Sequence, residues 1–506
     1  MVDSYVIASD LGTGGCKTLL VDRRADVIAA ANREYQTHYP RPGWHEQNPQ
    51  DWLDAVGETV REVMRKAQIP PAQIAAFGLV GVTHNAVILD AQAEPLRPCI
   101  TFYDTRSQPE SDELERTWGE KIFQRTCNSI SPVWTWPQLL WVRRHEPEVW
   151  SAAHTLLFQK DYVRNYLAPS PVSDLIDVEG CLLFDPQRNC WIEEFIEHLG
   201  IPTDALPQVV KPTQVVSQIS SQGRQLTGLA EGTPVVAGTT DTVAEVLGAG
   251  ALRPGQGTVK LASVGRITCV SKEPALHPKL FNYRHVINGL WYPGTATKFA
   301  TSAFRWLRET VWPQASYAEM SAAAESIPPG SEGLIFHPHL NGEWAPYWDG
   351  ELRGNFVGLT IRHTRAHLAR SVMEGVAFAL RAGVEYARNF GLPFDDIRLI
   401  GGGSGSDIWA QIMADTLNRR ILVPRQKDAA YGSALVTGMG IGMFPEDADG
   451  IEKLIRFEDS LEPNEAHIGL YQQLFEIYQS TDIALHAATR DLARFDQQTF
   501  KSNQTE

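Results

Sequence analysis

The sequence predicts a duplicated α/β fold, because two blocks of the chain repeat the same order of strands, glycine turns and helices. In the first block an apolar strand from Tyr5 enters the small-residue turn 10–15 and returns through Lys17, Thr18, Leu19, Leu20 and Val21. In the second, a strand from Thr258 turns at Val264-Gly265-Arg266 and returns from Ile267. Further on, each block places a helix before an apolar strand.

Taken in order, residues 27–35 read as a third strand after the first hairpin. Leu53, Val56, Val60, Val63 and Met64 follow at helical spacing behind a start signal at Pro49, and the strand 74–82 comes next. The segment 231–254 reads as the crossover between halves; it carries the strand 234–238 and then Asp241 ahead of a small-residue helix. In the second block Leu368, Val372, Val376, Leu380 and Val384 mark a longer helix. The strand 397–400, the glycine turn 401–406 and a helix from Asp407 complete the echo. These readings divide the chain into domains 1–247 and 248–495, with the last helix ending near Phe495 and a polar tail over 496–506.

A chain of 506 residues has room for two large domains, each with its own core. The formal charge of −15 and the lack of a basic run argue against a nucleic-acid partner. An acidic protein still binds ATP, since backbone N–H groups and a cation neutralise phosphates locally. No signal-like N-terminus and no run of about 18 apolar residues is found, so the expectation is a cytoplasmic protein with no membrane contact. The six cysteines are scattered, without a C-x-x-C pair or histidines at zinc spacing, and read as reduced thiols.

Three segments carry the chemistry. The first turn is not a Walker loop, since Leu11 and Cys16 stand where that motif needs glycine. Its Gly12, Thr13, Gly14 and Lys17 are nonetheless suited to phosphate oxygens, and Asp10 to a magnesium ion held through water. The second is 401–406, where Gly402 and Gly403 leave no side chain in the way of a ligand and Ser406 opens a helix. The third is Asp241, at a strand–helix junction, where an aspartate is either a helix cap or a base.

This set of segments resembles the FGGY carbohydrate kinases. Residues 10–17 are similar to that family's phosphate loop, and 238–250 to its base segment. Residues 401–415 are similar to its adenosine segment, and 354–375 fit its second signature. Within the family the segments from Pro42, from Gly81 and around 138–150 are most similar to xylulokinases. The resemblance implies two actin-like, ribonuclease H-like domains with a cleft between them, an N-terminal one for sugar and a C-terminal one for nucleotide. It implies ATP and magnesium as cofactors and a small sugar as partner, most simply a ketose such as xylulose; ribulose, a polyol or an aldonate stay open. Asp241 would be the base and Asp10 the metal ligand. Thr83, His84 and Asp104 would meet the sugar, and Gly265 and Arg266 would form a second phosphate loop.

The chain departs from the pattern at Arg266, where a Thr is usual, at Trp344, at Gln138, at Phe102, and at Asp177 and Glu179, which add two carboxylates to the substrate wall. A sugar- or nucleotide-binding sensor without turnover and an actin- or Hsp70-like ATPase are the competing readings. The oligomeric state stays open, a homodimer being one outcome.

Overall fold

The computed structural model describes residues 4–503, with side chains over 4–496. The chain forms two compact units: one holds the residues up to Leu252 with Lys272–Tyr292 and Gln426–Ile455, the other Arg253–Ser271, Pro293–Arg425 and the chain from Arg456 on.

Each unit is built on one sheet. The first contains β1 (Tyr5–Leu11), β2 (Gly15–Val21), β3 (Val27–Glu34), β4 (Ile74–Gly81), β5 (Val215–Gln218), β6 (Pro234–Val236) and β7 (Thr239–Thr240). Its order is β3-β2-β1-β4-β6-β5, with β7 beside the end of β4. The second contains β8 (Gln256–Leu261), β9 (Gly265–Cys269), β10 (Gly294–Thr297), β11 (Asp396–Ile400), β12 (Ile421–Pro424) and β13 (Phe457–Leu461), in the order β10-β9-β8-β11-β12-β13. Read from β3 and from β10, both sheets pair antiparallel, antiparallel, parallel, parallel, antiparallel. The doubling read from strand–turn–strand echoes thus extends to strand order and direction.

The sequence of β1 is apolar on both faces because both are covered. Ile7 and Leu11 share a buried cluster with Trp52, Val56 and Val60 of α1 (Pro49–Ala67) and with Val163 and Leu167 of α2 (Gln159–Leu167). Helix α3 (Asp241–Gly248) follows β7, and α4 (Ala429–Gly440) covers the other face, where Val6 and Ala8 cluster with Ala434, Leu435 and Met439. The two helices approach closely: a Cβ on Gly432 would fall 1.9 Å from the carbonyl oxygen of Ala244. A linear division at 247 leaves α4 with the later half, whereas its packing groups it with the first sheet.

Helix α1 begins where the sequence signals it. Pro49 occupies the first turn, and the Asn48 side chain accepts from Gln50 N at 3.1 Å. The last helix runs over Glu465–Asn503, beyond the expected stop near Phe495, because no Gly or Pro interrupts 495–503. The tail residues 504–506 lie outside the described residues. All six cysteines are unpaired. Among the described residues no helix is long and apolar enough to cross a membrane.

Candidate active site

Three parallel strand ends set the site in the first unit. In register, Asp10 of β1 pairs with Val80 of β4, and Thr239 of β7 pairs with the same Val80 from the other side. Asp10 and Asp241 therefore leave the carboxyl edge of strands about two spacings, roughly 10 Å, apart. That edge is where open α/β sheets bind ligands.

The capping role open to Asp241 falls to its neighbour. The N-cap of α3 is Thr240, whose hydroxyl accepts from Val243 N. The Asp241 carboxylate instead accepts from the Thr83 hydroxyl at 3.5 Å, on the loop that follows β4. That loop is anchored tightly. Val82 N donates to the Gln159 side chain at 2.9 Å and to Leu11 O at 3.1 Å.

His84 is buried at the loop's apex with φ +53°, a left-handed conformation unfavourable outside glycine. It is held there by the Asp177 carboxylate, which accepts from its N–H at 2.8 Å, and by the Thr135 hydroxyl, which donates to its carbonyl at 2.7 Å. Its ring lies against Trp134, with centroids 4.9 Å apart. A Cβ on Gly180 would come within 2.4 Å of the ring, which explains the glycine there. Burial pushes the imidazole down to about 3, so His84 is neutral at working pH. Its Nδ1 is buried without a hydrogen-bond partner among the described residues.

Asp104 is fully buried and saturated with donors. It accepts from Arg106 Nη2 at 2.7 Å, from Arg106 Nε at 2.9 Å, and from the backbone of His45 at 2.6 Å. Its segment joins the Thr83–Asn85 loop through Asn85, whose side chain accepts from Phe102 N at 2.9 Å. Arg106 also pairs with Glu46 and lies over the Trp44 ring at 3.8 Å. Arg97 links Glu46 to Glu146. Arg97 thus ties the segments from Pro42 and 138–150, and Arg106 ties Glu46 to the Asp104 segment, which the Asn85 bond joins to the segment from Gly81; neither arginine is among the candidate residues legible in the sequence.

In the first glycine turn the carbonyls point away from the tip. Gly12 O accepts from the Tyr35 hydroxyl, Thr13 O from the Gln47 amide at 2.7 Å, and Gly14 O from Tyr35 N at 3.2 Å. A Cβ on Gly14 would meet nothing within 4 Å, whereas one on Gly15 would fall 2.7 Å from Arg33 O. Gly14 leaves space for a ligand and Gly15 serves packing. Burial first, then the charges of Cys16, Asp10 and Asp241 among its neighbours, push the Tyr35 phenol well above its ordinary value. Lys17 pairs at 2.5 Å with Asp428, which also caps α4 by accepting from Tyr431 N.

In the second unit the glycines divide the same way. Cβ atoms on Gly402 and Gly405 would meet nothing within 4 Å, while one on Gly403 would fall 2.5 Å from Leu261 Cγ and one on Gly265 2.4 Å from Thr297 Oγ1. Gly402 therefore fits ligand approach; Gly403 and Gly265 are required by packing. Ser406 stands at the N-cap position of the helix Asp407–Leu417 without a side-chain capping bond, and its hydroxyl lies 3.3 Å from that of Ser321. Arg266 sits opposite Lys260 in the β8–β9 ladder.

Comparison with known proteins decides the kinship. The N-terminal domain profile of the FGGY carbohydrate kinases matches residues 5–248, and the C-terminal domain profile matches 257–441. The chain belongs to the FGGY family of carbohydrate kinases. It is 30% identical to the xylulose kinase of Bacillus subtilis (strain 168) over 491 residues, 96% of this chain and 98% of that protein. Its fold matches the crystal structure of a xylulose kinase from Rhodospirillum rubrum with a TM-score of 0.87 at 29% identity, covering 96% of this chain and 99% of that one. A gluconate kinase from Lactobacillus acidophilus matches with a TM-score of 0.88 at 25% identity, over 97% and 100%. The expected actin-like two-domain architecture and sugar-kinase activity both stand.

Within this FGGY kinase the departures from the family pattern have partners. Glu179 pairs with Arg284, which donates from both side chain and backbone. Gln138 is buried and donates to Thr101 O at 3.1 Å. Beside Trp344, Glu343 accepts from Lys298 N at 2.5 Å and from Trp344 N at 2.8 Å, and meets His339 at 3.1 Å.

Proposed function

We propose that this sugar kinase transfers the γ-phosphoryl group of ATP to a hydroxyl of a small ketose, xylulose first among them, with Asp241 accepting the hydroxyl proton. The observation that carries the reading is at α3: Thr240 takes the capping role, so the Asp241 carboxylate is left at the strand edge beside Thr83. In phosphoryl transfer the protein's task is positioning and charge stabilisation, with one carboxylate at the attacking oxygen.

The sugar is held by the first unit. Thr83 offers a hydroxyl next to the base, and the buried Nδ1 of His84 accepts from or donates to a sugar hydroxyl in a neutral ring. The residues fit the nucleotide as well. The N–H groups of Thr13 and Gly14 suit phosphates, that of Gly12 being held inside the turn by Gly15 O at 3.0 Å; Gly402 gives space beside the Ser406 helix start, and Arg266 brings a cation. Bound ATP supplies the electrophilic phosphoryl group, and magnesium neutralises its charge. Among the described residues no group of three or more His, Cys, Asp or Glu could hold a metal; Asp10, at the end of β1, is the carboxylate that would meet the ion through water.

An ADP-release screen across xylulose, ribulose, polyols and gluconate tests the reading. Fastest turnover with a ketose supports it; fastest turnover with gluconate replaces the substrate class. Binding without ADP release from any of them replaces catalysis by sensing.

A further inference from the structure

The charged residues that open α2 lie on no surface. Lys160, Asp161 and Arg164 are all fully buried, as are Asp174 and Asp177. Burying an ammonium is strongly unfavourable unless carboxylates surround it. Here they do: Lys160 Nζ lies 2.7 Å from Asp161, 2.9 Å from Asp174 and 3.2 Å from Asp177. Burial alone would push the lysine down, but the three carboxylates outweigh it and raise it.

Each carboxylate has a second task. Asp174 accepts from the hydroxyl of Thr239 at 3.1 Å, on β7 and two residues before Asp241. Asp177 accepts from His84 N at 2.8 Å. Asp161 accepts from the Ser173 hydroxyl at 2.6 Å and pairs with Arg164, which in turn donates to Ala237 O at 3.0 Å, just before β7. The preceding residue, Gln159, holds Val82 N. One helix start therefore grips the strand that leads into Asp241 and the loop that carries Thr83 and His84.

We propose that Lys160 is a positioning residue for phosphoryl transfer, setting the Asp241 strand and the Thr83–His84 loop in register through Asp174 and Asp177. The role rests on the reading of Asp241 as base and of Thr83 and His84 as sugar contacts. It differs from a merely structural ion cluster in what it controls: the sugar's position relative to the base.

Asp177 adds a pH signature. It is faced by Lys160 and Asp161 of α2, with Arg164 beyond them, by Asp174, by the neutral His84, and by Glu179 and Cys181 of its own turn, with Arg284 paired to Glu179. Burial, then the charges of Asp174 and Asp161, hold its carboxyl up at about 7 against the pull of Lys160. As pH falls through that value the carboxylate gains a proton, its grip on His84 N weakens, and the KM for sugar rises.

Steady-state kinetics of the full chain with D-xylulose and ATP test this, alongside melting temperatures. In folded Lys160→Met, kcat/KM for sugar is expected to fall about 100-fold, the scale of a small misplacement at a reacting centre, with the KM for ATP unchanged. Asp177→Asn keeps the volume and the acceptor oxygen, so it decides the matter even where Lys160→Met does not fold. It is expected to abolish the acid rise of sugar KM near pH 7. A folded Lys160→Met with wild-type kcat/KM, or an Asp177→Asn with the wild-type KM–pH profile, overturns the positioning role. An active Asp241→Asn would overturn the underlying reading of the base instead, and the two failures are separable.

Discussion

In the β1–β2 hairpin the last pair but one of the ladder sets Asp10 across from Lys17; in the β8–β9 hairpin the same place sets Lys260 across from Arg266. The two sheets share strand order and direction, so the backbone plan was kept while its charge was exchanged. Opposite charges across a ladder attract and like charges repel, so the two hairpins present opposite local electrostatics, and in the first Lys17 also reaches Asp428 at 2.5 Å. The carboxylate edge suits proton and metal chemistry, the paired cations an anionic ligand. A second contrast lies in the buried charge. The first unit gathers carboxylates around Lys160, the second around His339, which lies 3.1 Å from Glu343 and 3.2 Å from Asp482.

The sharpest way to break the first contrast is at the carboxylate edge. Asp241→Asn should lower kcat by about 10²- to 10⁴-fold with little change in ADP affinity, as read by steady-state rates and calorimetry. A variant with normal turnover would remove proton acceptance from that edge.

The second contrast is tested by pH. Burial opposes the charge on His339, but Asp482 and Glu343 outweigh it and raise the imidazole to about 9. A folded value above the unfolded 6.5 stabilises fully below pH 6.5 and is lost as pH rises through 9, a contribution of about 3 kcal/mol at most. His339→Gln should therefore melt well below wild type at pH 6 and close to it at pH 10. A gap that persists at pH 10 would assign the loss to packing. Lys160 remains charged over this range, so the alkaline loss belongs to the second unit.

The glycine turn separates packing from ligand approach. Gly403→Ala should destabilise by about 1–3 kcal/mol through the clash with Leu261, while Gly402→Ala should leave stability within about 0.5 kcal/mol and raise the KM for ATP. Equal melting temperatures for the two would erase the distinction.

The smallest effect concerns the exchanged charge itself. Arg266→Thr, which restores the residue usual in the pattern, should raise the KM for ATP about tenfold and reduce its salt dependence. A lower KM would mean that the arginine obstructs the loop.

Much of this was legible in the chain, and the reasons are local. Hairpins announce themselves by alternating apolar runs around glycines, which is why β1–β2 and β8–β9 read correctly. Pro49 with the spacing Leu53, Val56, Val60 gave α1 for the same reason. The end of the last helix is not legible in the chain, because polar composition marks exposure, not a stop, and no Gly or Pro breaks it before Asn503. Gly402 and Gly403 are indistinguishable in sequence, and only the position of Leu261 tells them apart.

The sequence by itself determined the doubled strand–turn plan, the acid at position 241 and the family, because these rest on residue type and spacing along the chain. Tertiary structure decided which partners each residue has. Thr240 takes the cap only because α3 begins one residue after it; Lys160 is a hub only because residues 84, 174, 177 and 239 are folded around it. Spacing fixes secondary structure through backbone geometry, whereas a buried charge is defined by partners far away in the chain, which no local pattern records.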